Sequence, residues 1–280
     1  MIIDFHTHIF PPDVIADKQR FLGADAGFAE LYANPEARLA TADDLLASMD
    51  DAGIDASVAL GFAWSDRGIC ADHNDYLIEA SAGSSGRIYA FPNLPLAAGL
   101  DVVVEEAQRC AAQGVLGFGE LRPDNLGFDL GGPGADSLAG LAQELDALLL
   151  FHVSEPVGHL YPGKKGLDIG AFYDFVSRHP ALRIVGAHLA GGLPFYAHMP
   201  EVRRTFENLC ADTAATSLLY DSEVHQTIVG LLGPEALVFG SDYPLLSQSR
   251  SLLRMQQAGL DSTTLERVLG ATASRLLRRP

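Results

Sequence analysis

Ile2-Ile3-Asp4-Phe5-His6-Thr7-His8 opens the chain and decides how the rest is read. Ile2, Ile3 and Phe5 give an apolar, strand-forming start that runs directly into two histidines one residue apart. Strand side chains alternate, so residues two apart point to the same side. Both imidazoles can therefore face one ion at the end of a buried strand.

Short apolar runs of the same kind recur at 2–5, 56–60, 88–91, 115–118, 147–151, 182–187, 209–211 and 236–239. Continuous apolar stretches of this length suit strands buried on both faces, as in a parallel sheet. Helix-like stretches separate them. Thr41 and Asp44 have the spacing of a capping box, Leu45, Leu46 and Met49 supply an apolar face, and Gly53 suits the closing turn. Further helical patterns run over 102–113, 138–145, 169–177, 218–232 and 263–277. Eight strands alternating with about as many helices predict a (β/α)8 TIM barrel or a doubly wound open sheet. No Gly-x-Gly-x-x-Gly follows the first strand, which favours the α/β barrel. No Ser/Gly linker interrupts the pattern, so residues 1–280 read as a single domain. Two connections are long, 9–40 after strand one and 154–167 after strand five. Both leave strand C-terminal ends, the face where barrel enzymes hold their sites.

Composition narrows the partners. With 48% apolar residues among 280, the chain can build a large core. Nineteen Lys and Arg against 36 Asp and Glu give a net charge of −17, which repels a phosphate backbone and an anionic membrane. No nucleic acid and no membrane are expected as partners; a small molecule is, and a homo-oligomer is compatible with the sequence. The N-terminus lacks the basic and apolar regions of a signal peptide, and no uncharged apolar run spans a bilayer, so the reading is a cytoplasmic protein. Cys70, Cys110 and Cys210 are widely spaced and odd in number, which argues for reduced, buried thiols rather than disulfides or a thiolate metal site.

Polar residues sit at strand ends in a pattern that points to a metal. His6 and His8 end strand one, Glu120 strand four, His152 strand five, His188 strand six and Asp242 strand eight. In a closed barrel these six meet at one mouth. Imidazoles with carboxylates favour a borderline divalent ion, zinc first, with manganese or iron as alternatives. Taken singly, each could be a solvated strand end, and Glu120 could instead pair with Arg122.

Three stretches carry a resemblance: Ile3 to His8, Gly186-Ala187-His188-Leu189-Ala190-Gly191-Gly192, and Phe239-Gly240-Ser241-Asp242-Tyr243-Pro244. They resemble the signatures of the amidohydrolase superfamily. The nearest likeness is to its amidohydrolase-related branch, which holds aminocarboxymuconate-semialdehyde decarboxylase, aromatic-acid decarboxylases and lactone hydrolases. Residues 268–277 resemble that branch's last helix. The resemblance implies that His6, His8, His152 and Asp242 hold one metal, with His188 a second-site ligand or proton carrier. Gly119-Glu120 departs from the Lys-containing segment of many members and looks like the bridging glutamate of related metal-dependent nucleases. That leaves one ion or two open. With Glu120 bridging, His6, His8 and Asp242 would hold one ion and His152 and His188 the other.

The first functional expectation is hydrolysis of a small ester, lactone or amide by metal-activated water, with Asp242 and His188 catalytic. The alternative is non-oxidative decarboxylation of an aromatic or unsaturated acid; a non-catalytic metal-binding barrel is a third reading. Arg67, Arg122, Lys164 and Lys165 put scarce positive charge after strands two, four and five, which suits an anionic substrate. Arg122, His159, Tyr161 and Tyr243 are the expected substrate contacts, and Trp64 a flat apolar wall. His179 is expected to cap a helix, and His73, His198 and His225 to be surface or packing residues.

Overall fold

Eight short strands form because their residues are apolar enough to be buried on both faces. In the computed structural model, which describes residues 1–164 and 166–278, they are β1 (Ile3–His8), β2 (Ala56–Leu60), β3 (Ile88–Phe91), β4 (Gly117–Leu121), β5 (Leu148–Phe151), β6 (Ile184–Gly186), β7 (Leu209–Asp212) and β8 (Leu237–Val238). All pair in parallel, β1 to β3 as one run and β4 to β8 as another. Backbone hydrogen bonds close both seams. Phe5 N donates to Phe239 O at 2.8 Å and Asp242 N to His6 O at 2.9 Å on one side; Gly119 N donates to Pro92 O at 3.0 Å on the other. The result is the expected (β/α)8 barrel.

Two apolar layers hold it. Ile3, Phe5, Val58, Leu60, Phe91, Leu148, Leu150, Val185 and Val238 pack in one cluster, the barrel interior. A larger cluster fills the space between barrel and helices, with Leu149, Phe151, Phe172, Phe175 and Ile184 among its members. Each fully buried Leu, Ile or Phe contributes roughly 1.5–3 kcal/mol. Phe5, wholly buried and edge-on to Phe91 at 5.9 Å between ring centres, is one whose truncation to Ala should cost about 3–5 kcal/mol.

Helices cover the outside. The expected capping box forms at the start of the helix Ala42–Ala52, and Gly53 closes it with a left-handed φ of 69°. Other helices run over Arg67–Gly83, Leu100–Ala111, Pro133–Glu144 and Ile169–Arg178. The single helix expected over 218–232 is two, Thr216–Leu219 and Val224–Leu232. The segment 9–40, read as a loop, carries three short helices, Pro12–Ala16, Lys18–Ala24 and Ala26–Tyr32. They form because Phe10, Val14, Phe21 and Phe28 join Phe62 and Trp64 in a third apolar cluster, a long-range gain that local pattern does not display. Trp64 is therefore core rather than a substrate wall: it is fully buried, and its Nε1 donates to His73 Nδ1 at 2.9 Å. The three cysteines are free and buried. No described helix is long and apolar enough to cross a membrane.

Candidate metal centre

Strict alternation from Ile3 and Phe5 would turn Thr7, not the histidines, into the barrel. A register shift between Asp4 and Thr7 resets β1, so His6 and His8 both face inward, their Nε2 atoms 3.1 Å apart. β4 has the same irregularity between Phe118 and Leu121. Those two residues both pack outside the barrel although three apart, which leaves Glu120 pointing inward. Two of the strands that carry candidate ligands thus bulge where the ligands sit.

The other groups arrive on strained or hydrogen-bonded backbone. β6 ends at Gly186, and His188, Leu189 and Ala190 follow with φ of 55°, 55° and 49°. Non-glycine residues in this region cost of order 1–3 kcal/mol each and cluster at functional sites. His188 is pinned there by its N donating to Asp212 Oδ1 at 2.9 Å and its ring Nδ1 against Ala214 O at 3.0 Å. Asp242, φ 66°, is likewise left-handed and tied to β1 through His6 O.

The six expected groups are brought together. Glu120 Oε1 lies 2.8 Å from His152 Nδ1, 3.3 Å from His188 Nε2 and 3.9 Å from His6 Nε2, and its Oε2 lies 3.6 Å from His8 Nε2. Asp242 Oδ1 is 3.7 Å from His6 Nε2 and 3.6 Å from His8 Nε2. His188 Nε2 and His152 Nδ1 are 3.2 Å apart. All six side chains are buried. Three overlapping triads, His6-His8-Glu120, His6-His188-Asp242 and Glu120-His152-His188, each have ligand atoms close enough for one cation.

The donor set fits a divalent ion. Three imidazoles have their outward nitrogen engaged: His6 Nδ1 by Asp212 Oδ2 at 2.7 Å, His188 Nδ1 by Ala214 O, and His152 Nε2 by Gly163 O at 3.0 Å. This is the arrangement by which proteins fix ring orientation and turn the other nitrogen to a metal. Ring nitrogens 3.1–3.2 Å from one another gain nothing from neighbouring lone pairs, whereas a shared cation satisfies them together. Imidazole and carboxylate donors suit zinc, manganese or iron.

The buried carboxylates raise the affinity of neighbouring imidazoles for a proton. Burial alone would depress His6, but Asp212, Glu120 and Asp242 outweigh it and push it up to about 9. Burial is likewise overcome at His188, chiefly by the bond to Glu120 and its charge, to about 10. His8 is lowered by burial and then by the charge on His6. Glu120 falls well below the usual carboxylate range; burial opposes this, and His152 and His6 prevail.

Several of the remaining expected residues have partners outside the cluster. Arg122 is buried after Glu120 and faces Glu30 at 3.8 Å, so the alternative in which it occupies Glu120 gives way to a clustered Glu120. Tyr161 donates to Glu155 at 2.8 Å, His159 is exposed 5.6 Å from it ring to ring, and Tyr243 lines a groove with Arg38, Leu39 and Pro244. Arg67 is exposed, Lys164 donates to Val157 O, and Lys165 lies outside the described residues. His179 caps its helix; His73 and His225 are buried, and His198 is exposed.

Three contributors escaped the sequence reading. Asp212 ends β7 one residue beyond the apolar run, and the same strand-end rule that found the others would have found it. Asp4 accepts from Ser241 N at 2.8 Å, from Ser241 Oγ at 2.5 Å and from Gln248 Nε2 at 2.8 Å, tying β1 to the Asp242 segment. Its burial, only partly offset by those bonds, pushes its carboxyl up to about 6. Tyr32, on the helix of the first excursion, has its hydroxyl pushed up by burial and then by the charges of Asp242 and Glu120, which places it within their field.

The amidohydrolase family profile matches residues 3–279. No curated protein matches the chain in sequence. Solved structures match over nearly the full length. One is 5-carboxyvanillate decarboxylase of Novosphingobium aromaticivorans with bound manganese and 3-methoxy-4-hydroxy-5-nitrobenzoic acid, at a TM-score of 0.79 and 16% identity, covering 99% of this chain and 97% of that one. Another is 2,6-dihydroxybenzoate decarboxylase from Rhizobium, at 0.75 and 19%, covering 99% and 98%. A third is dihydroxybenzoic acid decarboxylase from Polaromonas with bound manganese and the inhibitor 2-nitroresorcinol, at 0.75 and 16%, covering 99% and 96%. At these identities the likeness establishes a shared fold. The barrel, the mouth it closes around and the family match over residues 3–279 lead to one conclusion: this chain belongs to the amidohydrolase family.

Proposed function

We propose that the protein is a metal-dependent, non-oxidative decarboxylase of a small aromatic or unsaturated carboxylic acid. The observation that carries the reading is the convergence of His6, His8, Glu120, His152, His188 and Asp242 at the barrel mouth, with the buried cation Arg122 two residues beyond Glu120. The decarboxylases among the full-length fold neighbours, two of them with bound manganese, support it.

Zinc, manganese or iron would be held by His6, His8, His152 and Asp242, with Glu120 as a further ligand, and when bound would supply positive charge against the substrate's oxygens. Arg122 would grip a carboxylate through paired N–H donors. In the reaction the bond from carbon to carboxylate breaks, carbon dioxide leaves, and the carbon keeps the electron pair. His188 would hand that carbon a proton from Nε2, where the adjacent Glu120 favours protonation. The segment 154–164 reaches His152, since Gly163 O accepts from its Nε2 and Gly163 N donates to Glu30 Oε1 at 3.1 Å, and so would limit water at the mouth.

Hydrolysis of a small ester, lactone or amide is the second reading. Glu120 favours it, because a carboxylate within 4 Å of four imidazoles suits two cations. The manganese- or zinc-loaded protein should be assayed on both substrate classes. Carbon dioxide release from hydroxylated benzoates supports the first reading; acid release from lactones or esters, with no carbon dioxide from any acid, replaces it with the second.

A further inference from the structure

Glu120 stands at the seam between the two runs of strands, where β3 and β4 share no regular ladder. Backbone bonds to Pro92 and Gly61 bridge that seam, and a buried side chain ties them together. Asn93, fully buried just past β3, donates from Nδ2 to Glu120 O at 2.5 Å and to Gly61 O at 3.0 Å. Gly61 O also accepts from Glu120 N at 3.1 Å, and Gly61 N donates to Gly119 O at 2.7 Å. One amide therefore joins the ends of β2, β3 and β4 around the candidate ligand.

Asn93 is itself fixed on every side. Its N donates to Asn74 Oδ1 at 2.8 Å, its O accepts from Asn74 Nδ2 at 2.9 Å, and its Oδ1 accepts from Leu94 N at 2.9 Å. Asn74 Nδ2 also donates to Glu106 Oε1 at 2.6 Å, and Glu106 takes two N–H groups of Arg109 at 2.8 Å each. Asn74 and Glu106 are buried. The space is as specific as the bonds, since a Cβ on Gly61 would meet Asn93 N at 2.5 Å. A buried polar chain with all members paired is rigid, and leaving one unpaired is costly.

We infer that Asn93 is a positioning residue for Glu120: by clamping the Glu120 and Gly61 carbonyls it aims the Glu120 carboxylate at the four imidazoles. The inference rests on the metal reading given above. Its consequence is that Asn93, which offers no atom to the cation, sets metal affinity through Glu120 alone. An aliphatic side chain would fill the same space, leave the Glu120 carbonyl without the Asn93 donor and leave the Gly61 carbonyl with Glu120 N alone.

The test is the affinity for Mn2+, read from the free-ion resonance in titrations of full-length protein, together with thermal unfolding of the metal-free form. Asn93→Ala should weaken Mn2+ binding by about 10-fold or more, the range for outer-shell partners of ligands. In a Glu120→Gln background the same change should cost less than roughly 3-fold, because sites that act through one another are not additive. Unaltered Mn2+ affinity in Asn93→Ala, or equal losses in both backgrounds, overturns the inference, even if the unfolding temperature falls. Should Asn93→Ala fail to fold, Asn74→Ala removes the brace behind Asn93, and must show a loss with the same dependence on Glu120. Parent protein that binds neither Mn2+ nor Zn2+ removes the metal reading and the inference with it.

Discussion

His6 Nδ1 lies 2.7 Å from Asp212 Oδ2, and this buried bond makes Nε2 the nitrogen that His6 turns to the cluster. The other oxygen of Asp212 accepts from His188 N at 2.9 Å, so one carboxylate orients two candidate ligands on different strands. Asp212→Asn keeps the shape and loses the charge. It should weaken divalent-metal binding by about 10- to 100-fold in competition with a chelator; unchanged affinity would contradict the role given to Asp212.

Arg122 is buried two residues beyond Glu120 and faces the Glu30 carboxylate at 3.8 Å; the proposed function gives it a substrate carboxylate as well. Arg122→Met should raise KM for the best carboxylate substrate by roughly 10- to 100-fold, the worth of a charge-assisted hydrogen bond, with a smaller effect on kcat. Arg122→Lys should recover only part, since an ammonium cannot make two parallel bonds. Steady-state kinetics that show an unchanged KM would remove Arg122 from the substrate site.

Gly240 lies against β1, and a Cβ there would meet His6 Cβ at 2.8 Å. Gly240→Ala must push back the strand that carries His6 and His8. Overpacking of this kind costs about 1–3 kcal/mol, so the unfolding temperature should fall and metal binding should weaken together. A variant with a lower unfolding temperature and unaltered metal affinity would show that His6 tolerates the shift.

His73 is lowered to about 4 by burial, with the Ile9 carbonyl bond opposing. A group whose folded value lies below its unfolded value adds stability above the unfolded value, and loses it as pH falls toward the folded one. Between pH 6.5 and 5 the neutral His73 should therefore cost about 2 kcal/mol of stability. His225, also held at about 4 by burial, acts in the same direction, while Asp4, held up at about 6, acts against it. Comparison with His73→Phe isolates one group. That variant should be weaker at pH 7, where Trp64 Nε1 and Ile9 O lose their partner, yet flatter by about 2 kcal/mol over this interval in urea unfolding. Parallel curves would contradict the shift.

The barrel was legible because its strands are continuous apolar runs and its candidate ligands stand at their C-terminal ends, so local pattern and site coincide. His6, His8, Glu120, His152, His188 and Asp242 are all found this way. What was not legible depends on distance in sequence. Nothing near Phe21 or Phe28 tells that Trp64 and Phe62 will cover them, so three helices read as loop and a core tryptophan read as a substrate wall. Asn93 looks like an ordinary strand-end residue until β4 arrives beside it. The register shifts in β1 and β4 are equally hidden, since alternation counted from Phe5 points the wrong way at His6.

The most direct test is a crystal structure of protein soaked in Mn2+, with anomalous scattering recorded to locate the ion. The expected result is a peak bonded to His6 Nε2, His8 Nε2, His152 and Asp242, with Glu120 within reach. Peaks only elsewhere on the surface, or a cluster that stays metal-free at saturating Mn2+ and Zn2+, would contradict it.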